Sequence, residues 1–448
     1  MNTTHIKSTV SVLSKLIVVI LYLSVFACTK NTDEKVTHTS DPIKIENEKT
    51  NTAEVTEQNS SFNNHFSTRL KVPRIKPLPV EGRSPEQIAM LADRPDYNLY
   101  KTLAHHVELY NHWTPLGRAL LNGSKIPARD REIIMLRMGW LCQAEYEWSQ
   151  HARIATADDV GMTYDEVKNI AANPNGNMWS DFEKALMTMV DELRYDALIS
   201  QKTWNALATR YDNQQIMDAL FTAAQYQLVS MLLNSTGIQL DPILEHRLPT
   251  DITLPALAEK THSERLSAPR LAPLKNSEMS EEQKTMITQQ TREDGSVLNL
   301  YATLIHHPRL YGPRYTFGRY LLRKTSLPAA TRELLIMRTA WLINSEYEWA
   351  HHVSFAKEAG LSDEQIKNIT VGADSPVWNE EQKAVIRAAN ELREEAFITD
   401  ATWSTLLNYY DTKQMVEILF TVGGYTMTGL AVNSFGVQVE EGYPSFPE

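Results

Sequence analysis

Cysteine is nearly absent from this chain, with two residues in 448. Two thiols exclude a disulfide-stapled scaffold and a four-thiolate metal site. Positive charge is also short. Forty-four Lys and Arg stand against 55 Asp and Glu, a formal net charge of −11. That balance excludes a nucleic-acid binder working by bulk electrostatics. No convincing run of alternating apolar and polar residues marks a half-buried strand. The apolar run near the N-terminus, Leu16 to Ala27, falls short of an ordinary membrane span. What is present, 42% hydrophobic and 22% charged residues, is the composition of a soluble globular protein. The length suits two or three domains with sizeable cores.

Lys7 and Lys15 precede the apolar run, which ends at Val25-Phe26-Ala27-Cys28 in the manner of a bacterial lipobox. The expectation is a signal peptide over residues 1–27, with Cys28 diacylated as the mature N-terminus. An ordinary signal peptide or an uncleaved anchor is the alternative. No aspartate follows Cys28. In a Gram-negative host this predicts a cell-envelope lipoprotein of the outer membrane facing the periplasm, with the lipid as its contact to the membrane. Residues 28–71 read as a solvated polar tether.

The strongest internal signal is a repeat. Arg131-Glu132 to Trp140-Leu141 returns as Arg332-Glu333 to Trp341-Leu342. Glu145-Tyr146-Glu147-Trp148 and His151 return as Glu346-Tyr347-Glu348-Trp349 and His352. Trp179, Trp204, Tyr226 and Asn234-Ser235 return as Trp378, Trp403, Tyr425 and Asn433-Ser434. Copy one is placed at 72–240 and copy two at 268–439. A linker at 241–267 separates them, and a tail at 440–448 follows. Both copies read as helical. Ser84 with Gln87, Thr163 with Glu166 and Ser180 with Glu183 are capping boxes. Ser280 with Gln283, Ser362 with Gln365 and Asn379 with Gln382 repeat them. The fold class is all-α and duplicated, with an expectation of six or seven helices per copy.

One helix in each copy carries chemistry. Glu147 and His151 are four residues apart and share a face, as do Glu348 and His352. A carboxylate beside an imidazole makes a proton-transfer pair. Glu132 and Glu333 sit amid Ile, Leu and Met on the preceding helix, where burial would raise a carboxyl pKa. Such a Glu–His pair also occurs on ordinary solvated helix faces. Arg137 and Arg338 recur in apolar helices and suit a substrate carboxylate, or else an internal salt bridge. Tyr226, Tyr425, Asn234 and Asn433 line a pocket or cap helices. The pairs His105-His106 and His306-His307 lack the spacing of a zinc site. Cys142 meets Ile343 in the other copy and reads as core.

On these motifs the chain resembles the carboxymuconolactone decarboxylase family, which includes the alkyl hydroperoxidase D proteins. The redox branch of that family carries a glutamate followed by Cys-x-x-Cys-x-x-x-His. Here the glutamate slots hold Glu132 and Glu333 and the histidine slots His151 and His352. The cysteine slots hold Ala144, Glu147, Ser345 and Glu348. A thiol peroxidase needs a thiolate and a resolving partner, so this chain resembles the cysteine-free branch. That resemblance implies a cofactor-independent lyase or isomerase with no metal, acting on a small carboxylated lactone or related enolisable acid. It implies His151 and His352 as proton donors, Glu147 and Glu348 orienting them, and Glu132 and Glu333 completing a relay. It implies a homo-oligomer too. Single-domain members assemble as rings, so a tandem chain is a pre-joined dimer and three chains imitate a hexamer. The alternative is a lipid-tethered binding or scaffold protein that kept the fold without the activity; a peroxidase-branch redox protein ranks below both.

Overall fold

The computed structural model describes residues 70–249, 251–254 and 265–447. The export-type segment, Cys28 and nearly all of the tether lie outside those residues. Among the described residues, copy one has nine α-helices: α1 (Pro85–Leu91), α2 (Asn98–Leu103), α3 (Val107–Leu121), α4 (Ala128–Leu141), α5 (Glu145–Ala155), α6 (Tyr164–Ala172), α7 (Asp181–Tyr195), α8 (Gln201–Ala208) and α9 (Asn213–Thr236). Copy two repeats them in order as α10 (Glu281–Ile287), α11 (Asn299–Leu304), α12 (Pro308–Arg323), α13 (Ala329–Leu342), α14 (Glu346–Glu358), α15 (Asp363–Asn368), α16 (Glu380–Glu395), α17 (Asp400–Leu406) and α18 (Thr412–Phe435). The described residues contain no strand, only an isolated bridge between Thr291 and Val297. The count exceeds the expected six or seven because short helices such as α2 and α11, six residues each, are too brief to show a period.

Helix starts follow the sequence closely. All six capping boxes named above form. Two more, Asp212 with Gln215 and Asp411 with Gln414, start the long helices α9 and α18. Each cap satisfies an otherwise orphaned amide and is worth about 1 kcal/mol. Gly237 and Gly436 end these two helices in the left-handed conformation, with φ of 71° and 70°. From Ile216 onward every residue of α9 is buried, and likewise from Met415 in α18. A helix apolar on all sides belongs in the middle of a core, and α9 and α18 pack on each other there.

The two copies meet as near mirror roles around that central pair. Asn234 Nδ2 donates to the carbonyls of Cys142 (2.9 Å) and Ala396 (3.1 Å). Asn433 Nδ2 donates to those of Ile343 (3.0 Å) and Ala197 (3.1 Å). The Ser235 and Ser434 hydroxyls accept from the amides of Ile398 and Ile199. His106 Nε2 lies 2.9 Å from Glu417 Oε1 on α18, and His307 Nε2 lies 3.0 Å from Asp218 Oδ1 on α9. Every one of these contacts crosses between copies except the Cys142 and Ile343 bonds. The result is an isologous interface written within one chain. Asn234 and Asn433, expected to line a pocket, are therefore interface bolts. Their amides are consumed by backbone carbonyls.

Residues read as linker and tail are partly built into the domains. Asp241 accepts from the Tyr146 hydroxyl (2.5 Å) and the Asn98 amide (2.9 Å). Glu440 does the same for Tyr347 (3.2 Å) and Asn299 (2.7 Å). Leu244 and Leu248 are buried, and Phe446 packs on Trp341 and Trp349.

Candidate active site

The site is built by a helical hairpin. Helices α4 and α5 are joined by a short turn in which Gln143 takes a left-handed φ of 51°, and Asn344 takes the same value between α13 and α14. A non-glycine residue there costs of order 1 kcal/mol. The turn folds α5 back along α4, which sets His151 beside Glu132, nineteen residues earlier. His151 Nδ1 and Glu132 Oε2 are 2.6 Å apart, and His151 Nε2 and Glu147 Oε1 are 3.1 Å apart. Both ring nitrogens thus face a carboxylate, and all three side chains are buried. Burial by itself would lower the imidazole pKa. The Glu132 and Glu147 charges and hydrogen bonds outweigh it and hold His151 up at about 10.

Copy two has the same hairpin with a looser grip. His352 Nδ1 is 2.7 Å from Glu333 Oε2, but His352 Nε2 is 3.8 Å from Glu348 Oε2. Burial raises the Glu348 carboxyl pKa against the opposing charges of His352, Arg314 and His351. Tyr425 stands edge-on to the His352 ring at 5.0 Å, as Tyr226 does to His151 at 4.8 Å. Burial, reinforced by the two glutamates of each cluster, keeps both phenols protonated far above their ordinary range.

A cavity of about 500 Å³ opens at His352. Glu348 and Tyr425 lie in its wall together with Tyr301 of α11, Arg314 of α12 and Thr428 of α18. The volume lies within the range of small-molecule sites.

The sequence-derived triads are therefore brought together in both copies, with one change of role. The closest partner of each histidine is Glu132 or Glu333 on the neighbouring helix. The i,i+4 glutamate takes the second ring nitrogen. The arginines are corrected. Arg137 holds Asp191 through two bonds (2.7 and 2.9 Å) and the Ile170 carbonyl (2.7 Å). Arg338 holds Asn390 (2.7 Å) and the Ile369 carbonyl (2.6 Å). Both fasten the hairpin to the helices behind it, and neither borders the cavity. The internal partner is Asp191 or Asn390, not the nearby glutamates. His106 and His307, as described, belong to the interface.

Sequence reasoning missed Arg314, Tyr301 and Thr428. Arg314 aligns with Trp113 in copy one, so a search for residues that recur passes over it.

Comparison with known proteins matches this arrangement to one family. Residues 108–174 and 308–391 each match the profile of the carboxymuconolactone decarboxylase family. Each copy therefore carries a segment that matches the carboxymuconolactone decarboxylase family. Both Glu–Glu–His clusters fall inside the matched segments, whereas Tyr226 and Tyr425 fall outside them. No curated protein and no solved structure matches the chain.

Proposed function

We propose that this carboxymuconolactone decarboxylase-family protein is a cofactor-independent lyase or isomerase acting on a small carboxylated lactone or related enolisable acid. The observation that carries the reading is a buried histidine between two glutamates on the wall of a cavity, at His352. Family membership makes an enzyme of this general type the natural reading; the substrate and the reaction are the proposal.

The chemistry is balanced without an added group. The bond between the ring carbon and the leaving carboxylate breaks, and carbon dioxide departs. The electron pair moves into the lactone carbonyl as a dienolate. An imidazolium then delivers its proton to carbon, and solvent reprotonates the imidazole. Glu333 at 2.7 Å fixes the ring through Nδ1. The other nitrogen, Nε2, points toward Glu348 and the cavity. The lipobox-like start adds a further element of the proposal, that this chemistry takes place in the cell envelope.

The test is carbon dioxide release from 4-carboxymuconolactone by the full chain, with His352→Gln as control. Turnover lost in the variant supports the reading. No release above buffer from folded protein removes that substrate and, if other enolisable acids also fail, the lyase reading.

A further inference from the structure

The two copies are not equivalent at the site. In copy two, Arg314 is buried and donates through Nη2 to the Thr428 hydroxyl. Its Nε has no partner and it forms no ion pair among the described residues. Its Nη1 lies over Gly318, where an added Cβ would come within 2.5 Å, so that glycine makes room for the guanidinium. Arg319 and Arg323 also border the cavity, and Glu348 is the carboxylate in its wall. Burial lowers the Arg314 pKa despite the neighbouring Glu348. A buried cation in that condition is stabilised by an anion that reaches it.

Copy one keeps Gly117, Arg118 and Glu147 at the positions of Gly318, Arg319 and Glu348, but lacks the anchor and its neighbours. At the aligned positions Trp113 replaces Arg314, Val229 replaces Thr428, Asn122 replaces Arg323 and Gln225 replaces Gly424. Gln225 is 3% exposed, and its Oε1 has no hydrogen-bond partner. The amide Nε2 of Gln225 is the nearest atom to a Cβ built on Gly117, at 3.8 Å. Gly117 is the counterpart of Gly318. The space that holds the Arg314 guanidinium in copy two is thus taken by the Gln225 side chain in copy one. In copy two a Cβ on Gly424 would meet the end of the Leu321 side chain at 2.3 Å, so a side chain there would require Leu321 to shift.

We propose that the cavity at His352 is a binding site for a small monocarboxylate anchored by Arg314, and that its counterpart at His151 is closed by Gln225, so that each chain takes one ligand and not two. The inference rests on reading the His352 cluster as a ligand site, but not on decarboxylation. The carboxylate meets Arg314 bidentately, with the rest of a small ring against Tyr301 and Tyr425. Copy one keeps its histidine cluster as a packed, charged element of the core.

The probe is 5-bromo-2-furoate, a flat ring carboxylate whose bromine can be located by anomalous scattering in crystals of the full chain. One bromine per chain is expected, beside Arg314, and none near Gln225. The neutral 5-bromo-2-furamide should bind at least tenfold more weakly in solution. Arg314→Met should lower furoate affinity at least tenfold with unchanged helicity, and Arg314→Lys should restore part of it. Bromine at both sites, at neither, or undiminished binding of the amide overturns the proposal, and the amide comparison needs no variant. Carbon dioxide release with two occupied sites would leave the proposed function standing and remove this inference. One occupied site without any release would do the reverse.

Discussion

Glu348 stands 3.8 Å from His352 Nε2, whereas its counterpart Glu147 closes to 3.1 Å on His151. The two clusters share residue types but not the same electrostatic condition. In copy one the imidazole is clamped at both nitrogens. In copy two one carboxylate is released toward a cavity and the Arg314 guanidinium, which has no ion pair among the described residues.

That difference predicts unequal responses to one substitution. Glu147→Gln removes a hydrogen-bonded partner of a buried cation and should cost about 1–3 kcal/mol. Glu348→Gln removes a carboxylate that burial already disfavours, so its cost should be smaller. Urea unfolding of the two variants measures both. Equal losses would show that the clusters are energetically alike.

The His151 cluster also sets a pH dependence. Its folded pKa, about 10, lies above the ordinary imidazole value of about 6.5. A raised histidine contributes stability that is complete below about pH 6.5 and is lost as pH rises toward about 10. Wild-type stability should therefore fall across that window by up to about 1.4 kcal/mol per pH unit. His151→Gln should be less stable and should lack this part of the slope. A variant with the same slope as wild type contradicts the assignment.

The reassigned arginines give a paired test. Arg338→Met leaves the Ile369 carbonyl and the Asn390 side chain without their shared donor. It should lower the melting temperature while ligand affinity per folded molecule stays unchanged. Arg314→Met should do the opposite. Calorimetry and a binding titration on both variants separate the roles, and a loss of affinity in Arg338→Met would return that residue to the site.

The interface has its own test. His106→Ala removes the side chain hydrogen-bonded to buried Glu417, which still accepts from Ser326. Breaking one partner of a buried pair costs about 3 kcal/mol or more. A two-stage unfolding curve, in which the copies separate before melting, is the expected signature. Unchanged single-step unfolding would mean that the cross-copy histidines contribute little.

Much of this is legible in the amino-acid sequence alone. The repeat, the capping boxes and the Glu132–Glu147–His151 set were visible because caps and i,i+4 pairs are local, and a duplication displays twice whatever it preserves. The pairing of Glu132 with His151 was less visible, since it depends on the turn at Gln143, where no glycine or proline advertises a left-handed residue. Arg137 misled because a lone cation in an apolar helix looks the same whether it awaits a ligand or holds Asp191. Arg314 does not recur, because copy one has Trp113 at its position. Recurrence finds what two copies share, and the ligand anchor lies where they differ. Asn234 and Asn433 recur for a reason that one copy alone cannot reveal, because the carbonyls of Ala396 and Ala197 belong to the opposite copy.

The joining of two interface halves in one chain has an evolutionary consequence. In a dimer of identical subunits every substitution is written twice, so a glutamine that fills one pocket fills both. Fusion removes that constraint. Once the reciprocal contacts of His106 and His307 are encoded by separate codons, one half is free to become a permanent support and the other to refine its pocket. Trp113 and Arg314, descended from one ancestral position, record that division of labour.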